Sequence, residues 1–148
     1  PIGDSVKEVS SILLIIAGAG ALKQILLDTG MSSELIQPLT NLSLHPLFLA
    51  WFIAAILRVS IGSATVAGLT TAGIVAPLIA TSGVNPCLMV LATGAGSVFF
   101  SHVNDPGFWM FKEYFNLTVK ETFKTWSIME TIVSVAGLVG VFILNYFI

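Results

Sequence analysis

Two short polar stretches interrupt otherwise apolar sequence, and they hold residue types suited to binding an anion. Residues 58–65 read Arg-Val-Ser-Ile-Gly-Ser-Ala-Thr, and residues 101–107 read Ser-His-Val-Asn-Asp-Pro-Gly. A broken helix at membrane depth is tolerated only where protein covers it or it lines a water-filled cavity. The half-helix N termini of such breaks present unpaired N–H groups and a positive dipole end to anionic substrates. The two stretches therefore predict an anion site built from interrupted helices.

The first stretch carries groups that a carboxylate with several hydroxyl groups would need. Backbone N–H groups around Gly62 are expected to hold the carboxylate, and nearby serine and threonine hydroxyl groups are expected to complete its hydrogen bonds. An intramembrane charge costs about 2.5–3.5 kcal/mol on insertion scales and is a functional hypothesis by default. Arg58 is therefore interpreted as attracting the substrate or pairing with an acid, with a cytoplasmic anchor as the alternative. The predicted substrate-binding residues are Arg58, Ser60, Gly62, Ser63, Ala64, Thr65, Ser101 and Asn104.

Two residues of the second stretch are predicted to carry the coupling proton. His102 and Asp105 lie three positions apart beside Pro106, and both imidazole and carboxyl groups transfer protons in proteins. The alternative for Asp105 is a structural cap on the helix that follows. Glu130, about one turn inside the last apolar run, is interpreted as an interfacial or packing acid.

Composition indicates that these residues belong to an all-α integral membrane protein. Hydrophobic residues make up 55% of the 148 residues and charged residues only 9%, whereas soluble domains average about 25% charged. A net charge of −2 without a basic cluster gives no reason to expect a nucleic-acid partner. A single cysteine, two distant histidines and the lack of hydrolase or nucleotide-binding motifs predict no metal, no cofactor and no enzymatic activity.

Four apolar elements are predicted to position the polar stretches. They are a span over 9–27, a re-entrant helical hairpin over 47–80, a broken helix over 87–115 and a span over 126–148. Lysines flank the first and last spans, at Lys7 and over 112–124, which predicts that these two regions are cytoplasmic. The hairpin is favoured because its first arm, 47–57, reaches only about 16 Å, half the membrane. Two full crossings with Arg58 in the cytoplasm are the alternative.

The sequence resembles the gluconate/proton symporter family, also called the gluconate permeases, over essentially its whole length. The similar stretches are residues 58–65, residues 100–109 (Phe-Ser-His-Val-Asn-Asp-Pro-Gly-Phe-Trp) and residues 12–24, which end in Gly-Ala-Gly-Ala-Leu-Lys-Gln. The resemblance implies an ion-transporter-type fold of two inverted repeats, of which this chain would be the second. Because the chain opens on Pro1 rather than Met, it is expected to be the C-terminal part of such a permease, without the N-terminal half.

The resemblance also implies a function, a location and partners. They are proton-coupled uptake of gluconate or a related sugar acid across the bacterial inner membrane by a multi-pass protein, acting as a homodimer in the lipid bilayer. Other hypotheses are a carrier for another organic anion such as a dicarboxylate or citrate, driven by sodium, and a non-transporting membrane subunit. An intramembrane hydrolase using Ser97 and His102 is disfavoured, because five residues is a poor match to one helix face.

Overall fold

The computed structural model describes residues 44–148, except for the side chains of residues 77, 80 and 81. Upstream it describes six isolated positions: Ser10, Leu13, Leu14, Ala17, Ala21 and Asp28. The predicted first span, 9–27, and the cytoplasmic Lys7 therefore lie outside the described residues as elements. The described part of the chain is helical and contains no strand, so the all-α class is confirmed there.

The first two helices form the predicted hairpin region. Helix α1 spans Pro46–Ile61 and helix α2 spans Ala64–Ser82. The two helices pack against each other. Between them Gly62 has a φ of 71° and its N–H donates to the carbonyl of Arg58, so the left-handed conformation that glycine tolerates ends α1. Ser63 then caps α2, because its Oγ accepts a hydrogen bond from the N–H of Val66.

The first arm is longer than the sequence suggested. Helix α1 has 16 residues, about 24 Å of helix, because it continues through Arg58 to Ile61 instead of stopping at Leu57. The polar residues after Leu57 remain helical, and the break is confined to Gly62 and Ser63. The prediction that the arm reaches only half the membrane was therefore wrong.

The next segment is interrupted, as a broken helix would be. Helix α3 spans Pro86–Ser97 and helix α4 spans Pro106–Tyr114, with residues 98–105 between them outside any helix. Each helix begins with a capping side chain followed by proline, Asn85 for α3 and Asp105 for α4. Proline at the first helical position has no N–H to leave unpaired and a φ already suited to the helix.

The last segment contains a helix of membrane-spanning length. Helix α5 (Val119–Thr122), a π-helical turn (Phe123–Ser127) and helix α6 (Ile128–Phe147) follow one another without a break. Together they form a 29-residue apolar helix, Val119–Phe147, the one helix among the described residues that is long and apolar enough to cross a membrane. Large apolar side chains of α6 such as Ile132 and Val139 are exposed, which suits a face turned towards lipid.

Helix α1 is the central element of the packing, in contact with α2, α3 and α6. Several of its apolar side chains, among them Leu47, Ile53 and Leu57, are fully buried. Helix α3 approaches α1 closely at Gly96, where an added Cβ would lie 2.2 Å from the backbone oxygen of Trp51. Small residues allow such close packing in membranes. The packing holds the end of α1 beside the interruption that follows α3.

Candidate functional site

The two interruptions predicted from the sequence touch each other at Asn104. Its Nδ2 donates to the backbone oxygens of Val59 (2.7 Å) and Ser60 (3.1 Å), which lie in the last turn of α1, where carbonyls lack helical partners. A Cβ at Gly62 would lie 2.3 Å from the Asn104 backbone oxygen. The glycine is therefore required both for its positive φ and for this close contact.

A buried charge cluster lies at the same place and joins three elements. Nη2 of Arg58 on α1 lies 2.5 Å from Oδ2 of Asp105 in the interruption and 3.3 Å from Oε2 of Glu130 on α6. The exposed fractions of the three side chains are 4%, 13% and 17%. One guanidinium thus faces two carboxylates. If both carboxylates are ionised, the cluster has a formal charge of −1.

Asp105 is the partner of Arg58 and also the helix cap that the sequence offered as the alternative to a proton carrier. Its Oδ1 accepts a hydrogen bond from the N–H of Gly107 at 2.9 Å, which caps α4. Its Oδ2 accepts from the hydroxyl of Ser101 as well as from Arg58. The carboxylate is therefore held on both oxygens.

Ser101 connects the interruption to the last helix. Trp126 Nε1 donates to its hydroxyl at 2.8 Å, and Ser127 Oγ donates to its backbone oxygen. Both donors lie in the π-helical turn, a feature that is frequent at functional sites. His102, the other predicted proton carrier, is half-buried, accepts a 3.4 Å hydrogen bond at Nδ1 from the Asn104 N–H and packs edge-on against Phe100.

The predicted residues of the first stretch divide between local roles and a separate cavity. Ser60 donates to the backbone oxygen of Ile56 at 2.9 Å, the bond to a preceding turn that membrane serines often make. Ser63 caps α2 and is half-buried. Ala64 and Thr65 line a largely apolar cavity of about 370 Å³ between α2 and α3, which Arg58 does not line.

Other hydroxyl groups within the helices also differ in role. Ser97 donates to the backbone oxygen of Gly94 at 2.8 Å, a local bond and not one to His102. Thr71 and Thr93 are buried, and no hydrogen-bond partner is found for their Oγ1 atoms. Thr93 lines the cavity between α2 and α3.

Two further unpartnered polar atoms lie where the interruptions meet. Among the described residues, the buried side-chain atoms without a hydrogen-bond partner include Arg58 Nε, a donor, and Asn104 Oδ1, an acceptor. Buried polar groups in proteins nearly always have a partner. A donor and an acceptor left over beside an ion pair suit a ligand that carries both carboxylate and hydroxyl groups.

Sequence reasoning missed the contribution of the last helix to this cluster. Glu130 was interpreted as an interfacial or packing acid, whereas it pairs with Arg58 across 72 positions of the sequence. The signal was present, because a carboxylate inside an apolar span is costly and usually functional. Nothing in the sequence alone indicated Trp126 or Ser127 as partners of Ser101.

Interrupted helices that meet around a buried ion pair, beside a helix long and apolar enough to cross a membrane, are typical of the class of membrane transport proteins. The sequence profile of the GntP family permeases matches residues 1–147. The chain belongs to this family.

Several curated relatives are similar over nearly the whole chain. A high-affinity gluconate transporter of Escherichia coli K12 is 59% identical over 141 residues, covering 95% of this chain and 32% of the relative. The Gnt-II system L-idonate transporter of the same strain is 56% identical over 144 residues, covering 97% of this chain and 33% of the relative. A gluconate permease of Bacillus subtilis 168 is 55% identical over 141 residues, covering 95% and 32%.

The chain therefore spans about a third of the length of these curated relatives. No solved structure matches it.

Proposed function

We propose that this chain is the C-terminal part of a secondary active transporter that takes up gluconate or a related sugar acid with protons across the bacterial inner membrane. The family and the names of its relatives, gluconate and L-idonate transporters, support the substrate class. The contact between Gly62 and Asn104 supports the site, because it unites the two interrupted helices around unpartnered polar atoms. The complete permease would be a multi-pass homodimer in which this chain is the second of two inverted repeats.

The substrate carboxylate would bind at the start of α2. Val66 and Ala67 donate their N–H groups to Ser63, which leaves the N–H groups of Ala64 and Thr65 for an anion at the positive end of the helix. Hydroxyl groups of the sugar acid would bond to Asn104 Oδ1 and to the hydroxyl of Ser63. Arg58 would supply charge to the same site.

A buried turn supports the re-entrant hairpin over two complete crossings. Gly62 is buried against Asn104, and Arg58, one turn before it, is 4% exposed and paired. A turn at membrane depth requires such cover by protein. The length of α1 favours neither topology. Its 16 residues make a helix of about 24 Å, which is closer to the length of a full crossing than the predicted arm was.

Cysteine labelling tests the site directly in the complete permease. In a cysteine-free background, Ser63→Cys should react with a small water-soluble maleimide, and gluconate should slow that reaction. A variant that keeps only the native Cys87, which is exposed at the start of α3, is the matched control and should be labelled at the same rate with or without gluconate. Equal protection at both positions, or none at Ser63→Cys in a variant that still transports, would contradict the site.

Transport assays separate the alternative functions. Accumulation of labelled gluconate in cells that lack their own gluconate permeases should be abolished by an uncoupler and should survive replacement of sodium by potassium. If unlabelled citrate or a dicarboxylate inhibits this accumulation and unlabelled gluconate and idonate do not, the protein is a carrier for a different organic anion. Absence of any uptake would favour a non-transporting subunit.

A further inference from the structure

We propose that Glu130 binds the coupling proton, and that its protonation releases Arg58 for the carboxylate of the substrate. The inference rests on the proposed function and identifies the proton-binding group of that site. The test below distinguishes a proton bound by Glu130 from one bound by His102. The two carboxylates of the cluster are held unequally.

Asp105 is the more firmly held acid. Besides Arg58 at 2.5 Å, it accepts hydrogen bonds from the hydroxyl of Ser101 and from the backbone N–H of Gly107. Several donors aimed at one carboxylate fix its position. Asp105 is therefore suited to remain the permanent counter-ion of Arg58 throughout the transport cycle.

Glu130 is held by one contact among the described residues, to Nη2 of Arg58 at 3.3 Å. The charged groups that face it are Arg58 from α1 and Asp105 from the interruption. His102 is a further titratable group near the cluster in the described part of the chain, because it interacts with the same two residues. A carboxylate with one long contact to an arginine that already has a closer partner is the one most easily displaced.

Charge balance explains why proton and substrate would bind together. With both acids ionised the cluster has a formal charge of −1, and a bound sugar-acid carboxylate would add a second uncompensated negative charge in a buried place. Uncompensated buried charge is strongly unfavourable. A proton on Glu130 brings the formal charge of the cluster to zero. The substrate anion then adds one negative charge, which replaces the one that Glu130 lost on protonation.

The arginine has the geometry to change partners. Its guanidinium has five N–H donors, and Nε is buried without a partner. A proton from one aqueous side would bind to an Oε atom of Glu130 and break the ion pair with Nη2, and the released Nη2 would then pair with the substrate carboxylate held at the start of α2. Release of the substrate and of the proton on the other side would restore the Arg58–Glu130 pair, which returns the empty transporter.

The test measures proton uptake on substrate binding in the purified complete permease. Calorimetry with gluconate in buffers of different ionisation enthalpy should show about one proton taken up per substrate where Glu130 is ionised before binding, and the apparent Kd should rise about tenfold per pH unit there. Glu130→Gln, which keeps the shape but cannot ionise, should bind gluconate with no proton uptake and no such pH dependence. In cells it should lose gluconate accumulation.

Glu113→Gln is the matched control, because Glu113 pairs with Lys112 at the surface, away from the cluster. It should keep proton uptake, pH dependence and accumulation. Proton uptake that persists in Glu130→Gln overturns the inference, as does its loss in His102→Gln while Glu130→Gln behaves as the wild type. Gluconate binding by the wild type without proton uptake also overturns it.

Two provisions keep the result decisive. If Glu130→Gln does not fold, Glu130→Asp tests the inference instead. Its shorter side chain should shift the pH midpoint of gluconate binding, and an unchanged midpoint overturns the inference. If the wild type binds another organic anion instead of gluconate, the proposed substrate is wrong. Proton uptake with that anion that Glu130→Gln abolishes would still support the role of Glu130.

Discussion

Replacement of Gly62 by alanine tests the contact between the two interruptions. Gly62 has a φ of 71°, and an added Cβ would lie 2.3 Å from the backbone oxygen and 2.6 Å from the backbone carbon of Asn104. Both neighbours are main-chain atoms, so they cannot move aside as the end of a flexible side chain can. The substitution must displace Asn104 or the end of α1.

The expected cost has two parts. A residue with a Cβ in the left-handed region costs about 1–2 kcal/mol, and overpacking at a tight contact costs about 1–3 kcal/mol. Displacement of Asn104 would also weaken its hydrogen bonds to Val59 and Ser60. Gly62→Ala should therefore lower the free energy of unfolding by about 2–5 kcal/mol.

Gly83→Ala separates the two parts. Gly83 ends α2 with a φ of 67°, and a Cβ there would meet nothing within 4 Å. Gly83→Ala should therefore lower the free energy of unfolding only by the cost of the left-handed conformation, about 1–2 kcal/mol. Unfolding of the complete permease by SDS in mixed micelles measures both variants, and gluconate uptake normalised to the amount of folded protein shows whether the site itself is affected.

Gly62→Ala should impair uptake as well as stability, while Gly83→Ala should transport normally once expression is taken into account. Equal losses of stability for the two variants would mean that Asn104 does not press on Gly62. Normal uptake by Gly62→Ala would refute the reasoning that this contact forms part of the transport site.

Two other substitutions test how α3 is held. Gly96→Ala should destabilise the protein by about 1–3 kcal/mol, because its Cβ would lie 2.2 Å from the backbone oxygen of Trp51. Gly94→Ala is the control, because a Cβ there would meet nothing within 4 Å. It should be neutral or slightly stabilising in the same SDS titration. Ser134→Ala removes the bonds from Trp51 Nε1 (3.0 Å) and to the Ala95 backbone oxygen (2.6 Å) and should cost about 1 kcal/mol. A double-mutant cycle with Trp51→Phe should show coupling, and strict additivity would argue against the shared bond.

Local chemistry made much of the fold predictable. Apolar runs with few charges indicate membrane helices, and the capping residue followed by proline at Asn85 and at Asp105 marks where α3 and α4 begin. Gly62-Ser63 likewise indicated a break, since a glycine at positive φ and a capping serine act through their nearest neighbours. The length of α1 was mispredicted because a charged Arg58 reads as the end of an apolar run, although a buried partner allows the helix to continue.

The sequence by itself determined that the chain is apolar enough for a membrane, where its helices break, and which polar residues lie at the breaks. Only the tertiary structure decided that Arg58 pairs with both Asp105 and Glu130, and that Asn104 covers the end of α1. Those contacts join residues that lie 44 to 72 positions apart in the sequence. They depend on the register in which packed helices meet, which is set by close contacts such as the one at Gly96, and no local pattern of residues encodes that register.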